Sequence, residues 1–413
     1  MTDLQREFAT DVVRKLTEAG YVALFAGGCV RDLLLNRPAK DYDVATTARP
    51  DEVRNLFGHR RTLAVGASFG VIIVLGPQNS VQIEVATFRR EGEYTDGRRP
   101  DQVEFCTPEE DARRRDFTIN GMFYDPLDSR VLDYVGGERD LAARMVRAIG
   151  EPHDRMREDK LRLLRAVRFA ATLDFQLDAV TAAAVREMAT QLTVVSAERI
   201  AQELKKMLVD VHRRRAIELC VDVGLMPVIL PELKLADMHP SLEMLPLLPE
   251  PRFELALAVL LHRLPAERAV REICQRLKLS NDEKERTTWL VTHQDDLRDS
   301  PRFSLAKLKR ALSHPFHEDQ LRLLKVKLLV EEADLHPVLF CEEFLAQTPQ
   351  AAINPPPLIT GDDLIQLGMS PGPRFREWLD QIRDAQLNEE LHTREDALAL
   401  AQRLRDGAAG GTP

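Results

Sequence analysis

Apolar residues recur at helical spacing from about residue 4 to residue 19, and Gly20 stops the run, so the chain opens on an amphipathic helix. A strand-like stretch at 21–25 follows and is broken by Gly27-Gly28; a short helix near 29–35 and a strand starting at Asp41 come next. Residues 71–75 and 81–85 read as two strands separated by a 76–80 turn that carries Gly, Pro, Asn and Ser. Thr107-Pro108-Glu109-Glu110 has the form of a capping box with proline at the first helical position. From about residue 150 the strand pattern fades and helical periodicity dominates. Further helix starts stand at Ser280-Asn281-Asp282-Glu283 and Thr360-Gly361-Asp362-Asp363. Asn354-Pro355-Pro356-Pro357 marks a linker before a last helical module, residues 407–411 are expected to be disordered, and no internal repeat is present. The fold class is α+β: a head of mixed sheet and helices, then an all-helical remainder.

Composition changes this picture little. The 413 residues suffice for several domains, and 44% hydrophobic with 30% charged content is that of an ordinary soluble chain. No apolar run approaches the roughly 20 residues that span a bilayer, and the polar start lacks the apolar stretch of a secretion signal. Cys29, Cys106, Cys220, Cys274 and Cys341 lie far apart, which suits reduced thiols in a cytoplasm rather than a disulfide framework or a zinc site. The expectation is a cytoplasmic protein with no membrane and no obligate protein partner. A net charge of −9 argues, by itself, against nucleic acid. Phosphate binding needs only a local basic surface, however. Arg113-Arg114-Arg115, then Arg155, Arg157, Lys160, Arg162, Arg165 and Arg168, then Arg213-Arg214-Arg215 supply candidates for one.

Asp41-Tyr42-Asp43 is the first chemical signal. On a strand, residues i and i+2 share a face, about 7 Å apart at roughly 3.3 Å per residue. Two carboxylates so placed can converge on hard cations about 3.5–4 Å apart, as in-line phosphoryl transfer uses. Just upstream, Gly27-Gly28-Cys29-Val30-Arg31-Asp32 stands between a strand and a helix. Glycines there let a phosphate approach the backbone, and a helix start offers free N–H donors. The segment is neither G-x-G-x-x-G nor a Walker A loop, so the dinucleotide-binding and P-loop readings fail.

Gly27-Gly28, Arg31-Asp32 and Lys40-Asp41-Tyr42-Asp43-Val44-Ala45-Thr46 resemble the first motif of the bacterial-type (class II) CCA-adding enzymes. The closely similar poly(A) polymerases share it; both belong to the polymerase-β-like nucleotidyltransferase superfamily. Arg114-Arg115-Asp116-Phe117-Thr118-Ile119-Asn120 resembles the second motif, and Asp133-Tyr134-Val135-Gly136 the head-to-neck hinge. Glu158-Asp159-Lys160-Leu161-Arg162 resembles the nucleotide-reading motif, and Ser196-Ala197-Glu198-Arg199-Ile200, with Glu203, a helix that braces the neck. Leu358-Ile359-Thr360-Gly361 and Ser370-Pro371-Gly372-Pro373 resemble the C-terminal module, so the similarity runs over nearly the whole chain.

The resemblance implies a polymerase-β-like catalytic head at 1–145 and a helical, base-reading neck at 146–212. A helical body at 213–350 and a tRNA-binding tail at 351–413 complete the division. It implies template-independent addition of C, C and A to the 3′ acceptor end of tRNA from CTP and ATP, with release of pyrophosphate. Asp41 and Asp43 are then the catalytic pair that holds Mg²⁺. Glu84, on a neighbouring strand, is either a third metal carboxylate or an outward-facing strand acid. Gly28, Arg31 and Arg115 contact the nucleotide, Arg115 and Asp116 read the ribose, and Arg165 and Arg168 lie at the nucleotide as well.

Base choice has a physical reading. Cytosine and adenine both present an exocyclic amine beside a ring-nitrogen acceptor, whereas uracil and guanine present the reverse order. An Asp accepting from the amine and an Arg donating to the ring nitrogen therefore fit C and A and reject U and G. Asp159 and Arg162, three apart on an expected helix, form such a pair, with Leu163, Val167 and Ala170 packed inward on another side.

Some relatives carry a metal-dependent phosphohydrolase module built on a His-Asp pair. Here Leu260-Leu261-His262 is followed by Arg263, so His262 and His293 are expected to be ordinary helical residues. The 89–100 segment, rich in Gly and charge and bounded by Pro100, suits a flexible loop. In the family such a loop reshapes the pocket, and relatives that add only C lack it. Addition of A alone, poly(A) synthesis, and a catalytically silent tRNA-binding protein remain the competing readings. The intact Asp-x-Asp and 158–162 motifs argue against the last.

Overall fold

The computed structural model describes residues 2–66, 70–77, 81–91, 103–249, 251–264 and 267–409. They form two units, Met1–Ala236 and Asp237–Pro413. In the first, helix Thr2–Glu18 buries Ala9, Val12, Val13 and Leu16 against the sheet behind it. That apolar stripe repeats every three to four residues, which is why the segment is a helix and why it docks. β1 (Ala23–Ala26) is apolar throughout and buried on both faces, so it lies inside the sheet.

Helix Gly28–Leu34 follows β1, then β2 (Asp43–Thr46). β3 (Thr62–Gly66), β4 (Val71–Leu75) and β5 (Gln82–Thr87) extend the sheet on one side; β8 (Phe123–Asp125) and β9 (Arg130–Leu132) extend it on the other. The order is β3-β4-β5-β2-β1-β8-β9, with only β2 and β5 parallel. β6 (Arg89–Glu91) and β7 (Val103–Phe105) form a separate antiparallel ladder. The loop expected to be flexible lies, from 92 to 100, outside the described residues.

β2 starts two residues later than expected, so Asp41 and Tyr42 precede it. The alternation nevertheless holds: Asp41 and Asp43 are exposed, while Tyr42 is buried against the Phe25 ring at 5.3 Å. Past residue 150 the chain is helical among the described residues, except for β11 (Gln176–Leu177), which pairs in parallel with β10 (Met145–Val146). Leu163, Val167 and Ala170 of helix Leu161–Thr172 are fully buried, as their spacing requires. Helix Arg213–Asp222, counted with the body on sequence, packs on helices Leu161–Thr172 and Ala197–Leu208 inside the first unit.

The second unit is helical. The capping boxes at Ser280 and Thr360 both form. One apolar cluster gathers Leu297, Leu312, Leu324, Val338 and Ile353; another gathers Ile359, Leu364, Ile382, Leu391 and Ala397. The proline-rich 354–360 segment between them is non-helical. Helix Arg394–Ala409 extends through Gly407, so the helix covers part of the stretch expected to be disordered; residues 410 and 411 lie outside the described residues. Among the described residues no helix is long and apolar enough to cross a membrane.

Candidate active site

A cleft of about 630 Å³ opens in the first unit. It is large enough for a nucleotide. The turn out of β1 is part of its lining. Gly27, at φ +75°, turns the chain into helix Gly28–Leu34, a conformation that a side chain would strain. Asp41 and Asp43 line the same cleft. Neither carboxylate is tied by a hydrogen bond or ion pair among the described residues. Asp43 is open to the cleft but crowded by protein elsewhere. That loss of water, then the charge of Glu84, outweighs Arg115, and with Asp41 adding repulsion its carboxyl is pushed up to about 6.

Glu84 stands in register with Asp43 across the β2–β5 ladder and is exposed. It does not line the cleft, and among the described residues no three His, Cys, Asp or Glu side chains gather as a metal group. Its charge is the second cause of the raised Asp43 pKa.

Arg31 lies over the Phe169 ring at 5.3 Å, donates to Asp32 at 2.7 and 2.9 Å, and donates to Asn120 Oδ1 at 2.8 Å. Asp116 is buried, and both of its oxygens are taken. Oδ1 accepts from the Phe117 N–H at 2.8 Å and Asn120 Nδ2 at 3.2 Å; Oδ2 accepts from Arg165 at 2.5 and 2.9 Å. Burial pushes this carboxyl up, but Arg165 and the other donors outweigh it and hold it at about 2. Asp116 is thus an ionised strut for Arg165.

The 158–162 segment departs from the expected helix. Helix Pro152–Glu158 stops, Asp159 takes an extended conformation (φ −139°), and a new helix begins at Leu161. Asp159 is therefore not on one helix face with Arg162. Its Oδ1 accepts the Leu161 N–H at 3.0 Å at the start of the new helix, and its carboxylate is paired with Arg199 at 2.6 Å. Arg162 is buried and bound to Glu158 at 2.5 Å and to the Arg155 and Arg114 carbonyls at 2.9 and 3.2 Å. Both side chains still line the cleft.

Of the residues expected at the site, Gly28, Arg31, Asp41, Asp43, Arg115, Asp116, Asp159, Arg162 and Arg165 line this one cleft. Arg168 does not. It pairs with buried Glu203 and lies over the Phe169 ring at 3.9 Å. Arg114, from the basic run noted in the sequence, lines it too, and so do Asn120, Phe169, Arg199 and Lys206, for which no role at the nucleotide was expected. A signal was present: Arg199, Glu203 and Lys206 repeat at helical spacing on helix Ala197–Leu208, beside the 158–162 motif in space. The lining holds seven cationic side chains against four carboxylates, so a chain of net negative charge carries a locally basic cleft.

In the second unit His262 is buried, its Nδ1 donating to the Val259 carbonyl at 2.7 Å, and burial lowers its pKa. It is a core residue.

Residues 23–147 match the sequence profile described as the poly A polymerase head domain. Residues 174–236 match that of the probable RNA and SrmB-binding site of polymerase A, and 252–401 that of the putative tRNA nucleotidyltransferase domain 2. A CCA-adding enzyme of Enterococcus faecalis is 43% identical over 217 residues, 52% of each chain, so in that match the chain spans about half the relative's length. A CCA-adding enzyme of Lactobacillus helveticus is 32% identical over 400 residues, 94% of this chain and 95% of that one. The crystal structure of a Bacillus stearothermophilus CCA-adding enzyme in complex with CTP superposes with a TM-score of 0.79 at 30% identity, over 97% of this chain and 98% of that one.

Proposed function

The chain belongs to the family of CCA-adding enzymes, and from that membership we propose that it extends the 3′ end of tRNA with C, C and A, taken from CTP and ATP. The observation that carries the reading is one cleft whose lining gathers two untied carboxylates, seven cations and a glycine turn. In this reaction the RNA 3′ oxygen bonds to the α-phosphorus while the bond to the β-phosphate breaks. Pyrophosphate leaves and the hydroxyl proton passes to solvent.

Enzymes of this family use divalent metal ions. Asp41 and Asp43 fit one: they are hard oxygen donors with no protein partner among the described residues, and the Asp43 carboxylate, short of water and then repelled by Glu84 and Asp41, gains from a neighbouring dication. We assign them Mg²⁺, which when bound stabilises charge on the attacking and leaving oxygens. The Gly27-Gly28 turn admits a phosphate, and Arg31 and Arg115 counter its charge. Asp116 keeps Arg165 in place beside the nucleotide. Asp159 accepts from the exocyclic amine of C or A while Arg162 donates to the ring nitrogen. Arg199 and Glu158 hold these two readers in place before a base arrives. On this reading 1–145 is the catalytic head and 146–212 the base-reading neck; 213–350 and 351–413 serve to hold the RNA.

Asp41→Ala or Asp43→Ala is expected to abolish incorporation of both C and A while tRNA affinity changes little. Either variant incorporating at near the wild-type rate refutes the assignment.

A further inference from the structure

Asp111 does not line the cleft, yet it holds two residues that do. It is 1% exposed and sits on helix Pro108–Arg113, whose start is fixed by the reciprocal Thr107–Glu110 box. Its Oδ1 accepts from Arg114 Nε and Nη2 at 2.9 and 2.7 Å and from the Arg89 N–H at 3.2 Å. Its Oδ2 accepts from Arg115 Nε and Nη2 at 3.1 and 3.0 Å. Two guanidinium forks thus share one buried carboxylate, each gripped along its Nε–Nη2 edge.

For Arg115 that grip decides direction. With one edge on Asp111 and the plane near the Phe123 ring at 5.0 Å, Nη1 is left pointing at the glycine turn. It lies 3.5 Å from the Asn120 carbonyl and 3.2 Å from where a Cβ on Gly27 would stand. We infer that Asp111 is a positioning residue that aims Arg115 at the phosphate-binding turn and so sets nucleotide affinity independently of the base. This rests on the assignment of Arg115 to the nucleotide.

Charge-assisted hydrogen bonds make the grip on both guanidiniums a firm one. Burial pushes the Asp111 carboxyl up, but Arg115 and Arg114 outweigh it and hold it below the usual range, so the carboxylate is ionised at neutral pH. Because the turn meets phosphates and not the base, CTP and ATP share the effect.

The test uses the full chain with Asp111→Asn, Asp111→Glu, Arg115→Ala and the Asp111→Asn/Arg115→Ala double variant. Readouts are kcat and KM for CTP and for ATP, KM for tRNA, and the melting temperature. Asp111→Asn is expected to raise KM for both nucleotides by the same factor, about tenfold, more than it lowers kcat, with KM for tRNA unchanged. Asp111→Glu, which restores the charge one methylene away, is expected to show a smaller rise of about threefold. In the Arg115→Ala background the added Asp111→Asn change is expected to cost clearly less than it does alone. Unchanged nucleotide KM in Asp111→Asn, or effects of the two changes that multiply in full, overturn the inference. If Asp111→Asn does not fold, unchanged nucleotide KM in Asp111→Glu overturns it equally. Unchanged KM in Arg115→Ala instead refutes the assignment of Arg115 to the nucleotide.

Discussion

Asp43 is under two opposed demands. A divalent cation needs the carboxylates of Asp41 and Asp43 untied, but without the cation the loss of water around Asp43, then the charge of Glu84, penalises its ionised form. The folded-state pKa of about 6 stands above the ordinary 3.8. The folded protein therefore takes up the proton first as pH falls. The penalty of the ionised group is complete above about pH 6 and gone below about pH 4. Asp43→Asn should thus melt higher than the wild type at pH 8 without metal. The full shift is worth about 3 kcal/mol, but the group is exposed and screened, so about 1 kcal/mol and a few degrees are expected. The difference should vanish near pH 4, and Mg²⁺ should raise the melting temperature of the wild type but not of the variant. Equal melting of both proteins at pH 8, with equal response to Mg²⁺, would count against the metal pair. The i, i+2 spacing made this pair legible in the sequence. Its charged neighbour Glu84 became definite only through the β2–β5 register, which pairs segments about 40 residues apart.

Elements set by local signals were legible in the sequence. Helix Thr2–Glu18, the β4–β5 hairpin and the capped helices each carry their own period or cap. The break at Asp159 was not, because no glycine or proline marks it. Arg199, some 40 residues on, stabilises it from outside, and a one-dimensional pattern does not record that contact. The break aims Asp159 and Arg162 into the cleft from two different segments, which a single straight helix would not do. With Asp159→Ala or Arg162→Ala, misincorporation of U or G should rise, or all rates fall, with roughly 1–3 kcal/mol of discrimination lost per partner. Competition among the four nucleotides on one tRNA measures it; full rate with full C and A selectivity in both variants would move base reading elsewhere.

At the scale of the whole chain, division by motif was coarser than division by packing. Helix Arg213–Asp222 looked like the start of a body and is packed with helices Leu161–Thr172 and Ala197–Leu208. Within the second unit the linker at 354–357 is flanked by two apolar clusters, yet the segments on either side are tied together. Lys309, buried, donates to Glu389 at 2.8 Å; Arg310 donates to Asp384 at 2.6 Å; and Asn388 accepts the Ala306 N–H at 2.8 Å. Removing residues after Asn354 should therefore raise KM for tRNA and also lower the stability of what remains, since it strands the Lys309 charge. Lys309→Met in the truncated chain should recover part of the stability but none of the tRNA affinity. An unchanged KM for tRNA in the truncated protein would remove the tail from RNA binding.

The central claim is that one cleft accepts C twice and then A and stops. It is tested by giving the purified protein a tRNA that ends before the CCA, with CTP and ATP together, and sequencing the 3′ ends. A product ending in CCA and going no further is predicted. A tRNA left unextended while one ending in CC gains a single A, or a long A tail, would contradict it.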